Sequence, residues 1–405
     1  MMLPEETTYE EFEAEETTAH EAAQPQAPGA DLAVVKMILT AVTVMFSLII
    51  TTAILVVLFM GTGNSGSAAQ APQGQYNLMD RFDMFVTNEI SNALDGIVVI
   101  KKQYMLDDSD LVAPKPNEAN FGQADTAAEL ADVLAEAEHL LDGQKTIFTT
   151  ETQVWDQEKI HYYYDETILV ITWKQVIDNS VYTFSEVKIA HPSQFRRFLA
   201  GGEFGFDKQY FTTEMADSVN AVVASAGDFY KYRRIGIMVY DGKVQRMGGE
   251  DLDTCFIDDK GDLNFVYRGE LTDQAQAQQY VDDNNIRFSL AFGPVLIDNG
   301  EVCVPNGYII GEINLGYSRA ALGQVDELHY LLVTLNGEKQ YQKRHLLRTF
   351  AGHLAEMGVQ KAYALDGGQT ATIAMQGETI NEVDYGTQRQ ISDIIYFATA
   401  LPEGE

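Results

Sequence analysis

From Met37 to Met60 the chain reads MILTAVTVMFSLIITTAILVVLFM, with no charged side chain. At about 1.5 Å rise per residue this run is long enough to cross a hydrocarbon core about 30 Å thick. A secretory signal has a shorter apolar stretch behind a basic front. Here the front is acidic, with Glu5, Glu6, Glu10, Glu11, Glu13, Glu15, Glu16 and Glu21 and no Lys or Arg before Lys36. The pattern therefore predicts an uncleaved anchor over 31–60. Residues 1–30 have too little apolar surface to fold and read as a disordered acidic tail. Residues 61–76, GTGNSGSAAQAPQGQY, have the Gly, Ser, Ala and Gln content of a flexible linker. Lys36 precedes the span and Arg81, Lys101 and Lys102 follow at a distance, so the charge rule for orientation has little to count.

Beyond the linker the polar–apolar period alternates between 3.6 and 2. A juxtamembrane helical region is expected over 77–144. It starts with a short helix carrying Leu78, Phe82, Phe85 and Ile90, continues through a Pro-punctuated loop at 107–122, and ends in a helix over Ala127–Leu141. Asp125 or Thr126 would cap that helix, and Gly143 lies just past its end. The main domain is expected over 145–401. His161–Ile177 and Val181–Ala190 read as a hairpin around Asp178-Asn179-Ser180, and Pro192 opens a short helix to Leu199. Strands are expected at Ala221–Ser225, Ile235–Tyr240, Leu263–Tyr267, Phe288–Phe292 and Leu328–Leu335, with turns at Asp241-Gly242 and Asn336-Gly337. A helix over Lys343–Met357 presents Leu346, Leu347, Phe350, Leu354 and Met357 on one face, and Gly358 ends it. Strands near 359–365, 372–376 and 394–399 close the chain. Strands outnumber helices, so the fold class is α+β with a mixed sheet and packed helices.

Composition narrows the function. The 405 residues carry 60 acidic and 27 basic side chains, a formal charge of −33, which opposes a nucleic-acid binder. Two cysteines, Cys255 and Cys303, exclude a disulfide-dense scaffold and a cysteine-rich metal site; they form one bridge or stay free. HExxH, GxSxG, CxxC, the phosphate-binding GxxxxGK[ST] and GxGxxG after a strand are all absent. Of seven histidines, His345 and His353 are the nearest to a pair. Eight apart on one expected helix, they are too distant along its axis to share a metal without a third partner. The acids at Asp258-Asp259 and Asp282-Asp283 read as solvated loops rather than calcium sites; no cofactor is expected, and a divalent cation is left open with no residue pattern to support it.

What remains is a set of Gly- and Asp-rich loops at strand ends: SAGDFY from Ser225, AFGPVLIDNG from Ala291, RAALGQ from Arg319, LDGGQTAT from Leu365 and QRQISD from Gln388. Each alone suits an ordinary turn. In this order and spacing they resemble the phosphodiester glycosidase family, whose usual strings are close to NGDFY, SFGPxLVxNG, PRTAIGQ, LDGGGSSTM and ERPVSD. The likeness spans about 220–397. Ser225 stands where the family often has Asn, Gln369 replaces a usual Gly, and Thr370-Ala371 replace Ser-Ser.

The resemblance implies hydrolysis between a sugar's anomeric carbon and a phosphodiester, in an extracytoplasmic setting. That setting favours a cytoplasmic N-terminus, and the substrate would be an envelope glycan or polysaccharide. Such a reaction needs cations for the phosphate oxygens and a carboxyl at the oxocarbenium-like centre. Arg319 and Arg389 are the expected phosphate clamps, Asp366 the catalytic carboxylate and Asp228 its partner. Asp393 would orient Arg389. Thr370, Ser392 and the backbone of Gly367 and Gly368 would complete a phosphate nest beside Ser225. The departures from the family strings motivate an alternative, a non-catalytic envelope glycopolymer-binding or scaffold protein. A third reading is cleavage on the other side of phosphorus. On the anchor reading, the full chain is expected in the membrane fraction after a high-salt wash, and a chain lacking residues 1–60 in the supernatant. Quantitative blotting of both fractions checks this, and release of the full chain by salt would rule the anchor out.

Overall fold

The computed structural model describes residues 105–107, 110–205, 208–228, 230–231, 234–248, 252–309 and 312–402. The chain divides into two compact units, 1–90 and 91–405, and every described residue belongs to the second. The expected tail, anchor, linker and the short helix at 78–90 lie outside the described residues. Among those described, no helix is long and apolar enough to cross a membrane.

The strands are, in order, β1 (Phe121–Ala124), β2 (Ile160–Asp165), β3 (Ile168–Ile177), β4 (Ser180–Ile189), β5 (Phe195–Leu199), β6 (Val223–Ala226) and β7 (Ile237–Tyr240). They continue as β8 (Lys243–Met247), β9 (Thr254–Asp258), β10 (Leu263–Val266), β11 (Ile286–Leu290), β12 (Val295–Asp298) and β13 (Glu301–Val302). The last are β14 (Arg319–Asp326), β15 (His329–Asn336), β16 (Lys361–Leu365), β17 (Ile373–Met375), β18 (Glu378–Thr379) and β19 (Asp393–Phe397). The α-helices are α1 (Ala131–Glu136), α2 (Glu138–Leu141), α3 (Thr212–Ser218), α4 (Gln274–Asp283) and α5 (Leu347–Glu356).

Three sheets result. A nine-stranded sheet runs β1-β2-β3-β4-β15-β14-β16-β12-β13, and two five-stranded sheets run β10-β9-β11-β7-β8 and β18-β17-β6-β19-β5. The expected mixed sheet resolves into antiparallel pairings throughout the described residues. Tight turns account for the hairpin pairs such as β2–β3, β3–β4, β7–β8 and β14–β15, because antiparallel neighbours need only a short loop whereas parallel ones need a crossover of a dozen residues or more. The β3–β4 turn places Asp178 and Asn179 at φ 50° and 61°, and the β7–β8 turn places Asp241 and Gly242 at 51° and 66°. Asp, Asn and Gly tolerate this left-handed backbone, which matches the twist of a two-residue hairpin.

The nine-stranded sheet is buried on both faces. Ile171, Trp173, Leu331 and Val333 pack with Phe350 and Leu354 of α5. Val170, Val187, Leu332 and Leu322 face the other way, onto Phe195, Val223, Ile395 and Phe397 of one small sheet and Cys255, Ile257 and Leu290 of the other. Alternate residues of one strand thus feed two cores, as the two-residue period dictates. Cys255 and Cys303 are both free thiols.

Several elements differ from expectation. The segment after Pro192 forms a single 3-10 turn, Pro192–Gln194, and then strand β5 rather than a helix. Pairing with β19 decides this, because it stacks the Phe195 ring on Phe397 at 4.7 Å. The run His161–Ile177 is two strands, parted where the Asp165 carboxylate accepts hydrogen bonds from the Thr167 and Ile168 amides at 2.7 and 3.1 Å. The helix expected over 127–141 breaks into a 3-10 turn, α1 and α2. That region is part of the main body, not a separate juxtamembrane domain: β1 pairs with β2, and Ala127, Leu130 and Leu140 are in the core. The Asn336-Gly337 turn falls two residues later, with Lys339 at φ 50°. Arg319–Gln324, expected as a loop, opens β14. Helix α4 escaped the sequence reading because only Ala277 and Val281 are buried along it, too few to write a helical stripe.

Phe350 is fully buried and stacks on Tyr182 with ring centroids 5.8 Å apart, whereas Leu346 at the cap of α5 is 45% exposed. Phe350→Ala is expected to cost about 3–5 kcal/mol of unfolding free energy, and Leu346→Ala less than about 0.5 kcal/mol. Urea unfolding of both variants tests the placement of α5, which equal losses would contradict.

Candidate active site

Strand register assembles the site from distant segments. Ala320 of β14 pairs with Leu365 of β16, which sets Arg319 across from Asp366. Ala226 of β6 pairs with Ile394 of β19, which sets Gly227 across from Asp393. The Gly227 amide donates to the Asp393 carbonyl at 3.1 Å, and the Gly227 carbonyl accepts from the Asp366 amide at 3.4 Å. A Cβ on Gly227 would lie 2.0 Å from Asp393 Oδ2, so only glycine allows these strand ends to meet. A Cβ on Gly367 would likewise meet the Ser318 carbonyl oxygen at 2.4 Å.

Above this junction is an open cleft of about 240 Å³, lined by Arg319, Asp366, Gly367, Gly368 and Arg389 together with Glu312, Tyr317, Ser318, Asp384 and Tyr385. Arg389 Nη2 lies 2.8 Å from Asp366 Oδ2, with the arginine side chain 40% exposed and the aspartate side chain 12% exposed. Burial raises the Asp366 pKa to about 6; Arg389 and the Thr370 hydroxyl pull the other way, and the nearby charge of Asp228 adds to the rise. Arg319 Nη2 donates to the Glu312 and Leu315 carbonyls at 2.6 and 2.7 Å, while its Nε has no hydrogen-bond partner among the described residues. Burial lowers its pKa to about 10, so it remains a cation at neutral pH. At the rim, Arg344 donates through Nε to the Ser318 hydroxyl and through Nη2 to Asp384, both at 2.8 Å. Ser318 in turn donates to Asp384 at 2.7 Å.

Other expected site residues lie beneath the cleft rather than in it. Asp228 and Asp393 are both paired with Arg197, whose Nη2 lies 3.0 Å from Asp228 Oδ1 and 2.8 Å from Asp393 Oδ2, with none of the three side chains reaching solvent. Asp393 therefore does not orient Arg389, which pairs with Asp366 instead. Asp228 is held further by the Tyr230 and Ala291 amides, each donating at 2.8 Å, so it does not share the cleft with Asp366. Burial and the charge of Asp228 push the Asp393 pKa up against the opposing pull of Arg197. Ser225 lies within β6, its hydroxyl buried without a hydrogen-bond partner among the described residues, and Ser392 is buried at the start of β19. The Gly368 amide donates to Ser318 O at 3.1 Å, so it is not part of a phosphate nest. Thr370 is buried and donates to Gly367 O at 2.8 Å.

Arg197 escaped sequence reasoning because its segment read as helix. Once Phe195 and Leu199 are assigned inward on a strand, the two-residue period turns Arg197 inward with them. Tyr317, Tyr385, Arg344 and Asp384 carried no motif, and only the folding of three loops gathers them.

The arrangement defines an antiparallel β-sheet domain with an arginine–carboxyl cleft at its strand ends. Residues 219–398 match the family model described as phosphodiester glycosidase. No curated protein matches the chain. Among solved structures it is similar to the zebrafish N-acetylglucosamine-1-phosphodiester alpha-N-acetylglucosaminidase catalytic domain auto-inhibited by pro-peptide. The identity is 19%, covering 64% of this chain and 92% of that one, with a TM-score of 0.46. It is also similar to a hypothetical protein from Synechocystis, at 14% identity over 61% of this chain and 64% of that one, with a TM-score of 0.42.

The raised pKa of Asp366 has a stability consequence. The folded state holds this proton up to about pH 6, whereas the unfolded chain releases it near pH 4, so folding stability falls as pH rises between the two. Asp366→Asn removes that titration. The variant is expected to match the parent at pH 4 and to exceed it at pH 8 by on the order of 1–3 kcal/mol. Unfolding measured at the two pH values checks this, and an equal difference at both would contradict it.

Proposed function

We propose that the domain hydrolyses a glycosyl phosphodiester, breaking the bond between the anomeric carbon and a phosphate oxygen. The observation that carries this reading is the Arg389–Asp366 contact of 2.8 Å inside a cleft that also holds Arg319. Arg389 is exposed enough to exchange its carboxylate partner for a phosphate oxygen, and a guanidinium suits that exchange because it donates two parallel hydrogen bonds.

As the bond breaks, its electron pair passes to the departing phosphate, where the two guanidiniums stabilise the added charge. The ionised Asp366 carboxylate, freed from Arg389, stabilises the positive anomeric centre until water adds to it and gives up one proton to solvent, leaving the free sugar and a phosphomonoester. A phosphate leaves as an anion and needs little help from an acid, so the ionised form of Asp366 is the working one. Asp228 has no direct part; its charge adds to the raised pKa of Asp366. The cleft, about 240 Å³ and open, is smaller than the roughly 300–1,000 Å³ of sites that enclose a drug-sized ligand. It suits one sugar and its phosphate, with the remainder of a polymer outside.

The setting is part of the proposal. An anchor at 37–60 with a short cytoplasmic tail would hold the domain outside the cell membrane on the linker 61–76, within reach of an envelope glycan or polysaccharide that carries glycosyl phosphodiesters. The formal charge of −33 does not forbid such a substrate, because the acidic tail is remote in sequence and exposed charges are screened beyond about 10 Å at 0.1 M salt.

For the free enzyme, kcat/KM is expected to rise with pH through about 6 and then level. Asp366→Asn should lower it by roughly 10²–10⁴-fold. Free sugar released from a model glycosyl phosphodiester is the readout. Near-normal turnover in the variant would remove Asp366 from the chemistry, and release of a glycosyl phosphate instead of sugar would assign the cut to the other side of phosphorus.

A further inference from the structure

His345 and His353 are eight residues apart, which on a continuous helix would separate them by about 12 Å along the axis. They are not on one helix. Helix α5 begins at Leu347, and its cap Leu346 is extended at φ −62°, ψ 153°, so His345 lies outside the helix. The two imidazole centroids are 5.3 Å apart. Asp178, at the tip of the β3–β4 hairpin, supplies a third group: one coordinating atom from each of Asp178, His345 and His353 lies within 4.8 Å of the other two.

The surroundings of the rings match what a bound cation requires. His345 Nδ1 is 2.7 Å from the Tyr182 hydroxyl, and His353 Nδ1 is 3.5 Å from Glu356 Oε2. Metal-bound histidines are typically held in this way, with the second ring nitrogen fixed by an oxygen partner. That leaves Nε2 on both rings. For His353 this atom is buried without a hydrogen-bond partner among the described residues, 3.9 Å from Asp178 Oδ2. For His345 it lies 3.0 Å from the Ser180 hydroxyl, a rotatable group that can release it.

We propose that Asp178, His345 and His353 bind a divalent transition-metal ion of the zinc class, fastening the β3–β4 turn to the start of α5. Two imidazoles and one carboxylate suit zinc, cobalt or nickel, whereas calcium and magnesium prefer all-oxygen shells. Metal–ligand distances of about 2.0–2.2 Å put the ligands of a tetrahedral ion about 3.3 Å apart, so the cluster contracts on binding. Asp178 can make that movement, because its side chain is 67% exposed at a hairpin tip. Water would take the fourth position. His345 directly follows Arg344, which holds Ser318 and Asp384 at the cleft rim, so the ion would brace that wall.

The full-length chain, stripped with a chelator, is titrated with Zn²⁺ by calorimetry, with thermal unfolding followed in parallel. One equivalent is expected to saturate the site and raise Tm, and Co²⁺ in its place should give the strong visible bands of a four-coordinate ion. His353→Gln and Asp178→Asn should each weaken binding about tenfold or more and leave the Tm of the metal-free protein within a few degrees of the parent. Asn tolerates the left-handed backbone at 178, so Asp178→Asn tests the ligand rather than the turn. No saturation at one equivalent, or unchanged Zn²⁺ affinity in both variants, would overturn the site and assign any uptake to other acidic groups. An equal Tm rise with Ca²⁺ would overturn the metal class. None of these readouts uses hydrolysis, so the result stands apart from the proposed glycosidase activity.

Discussion

One buried cation holds the candidate site together. Arg197 sits between Asp228 and Asp393 with no solvent contact, joining the end of β6 to the start of β19 from the neighbouring strand β5. Two carboxylates and one guanidinium leave an uncompensated charge in a low-dielectric place, and the raised pKa of Asp393 is the response. Removing one member of such a group costs more than forming it gains, because a charge is then stranded. The backbone links from Gly227 to Asp393 and Asp366 depend on this anchorage, and so does the floor of the cleft.

The same economy of charge shapes the cleft itself. Asp366 is buried enough that the protein disfavours its ionised form, yet the proposed chemistry uses that form. Arg389 partly compensates, and its exposure lets it serve a ligand as well as the carboxylate. Stability and function therefore compete at one side chain, as they commonly do where a catalytic group needs a perturbed pKa.

Much of this was legible along the chain. Hairpin turns at Asp178-Asn179 and Asp241-Gly242 follow from residues that accept left-handed backbone, and the apolar stretches of β3 and β15 read as strands. Arg319 and Asp366 could be named because each sits beside small residues or glycine at a strand end, and Arg389 because it shortly precedes the closing strand; the three do line one cleft. Asp228 and Asp393 stood out by the same signal, but a strand-end aspartate facing a ligand and one facing a buried arginine look identical in sequence. Their partner was hidden because FRRFL after Pro192 reads equally as helix or strand, and only pairing with β19 turns Arg197 inward.

The sequence by itself determined the local matters: which turns are tight, where α5 ends, and which loops carry acid, arginine and glycine. These depend on backbone conformation and on the period of apolar positions, both written within a few residues. Tertiary structure alone decided which carboxylate meets which arginine, that residues 121–141 join the main body, and that His345 faces His353 across the end of α5 beside a hairpin tip. Those outcomes rest on register between segments tens to hundreds of residues apart, and on burial, which fixes a group's charge only after the whole chain has packed around it.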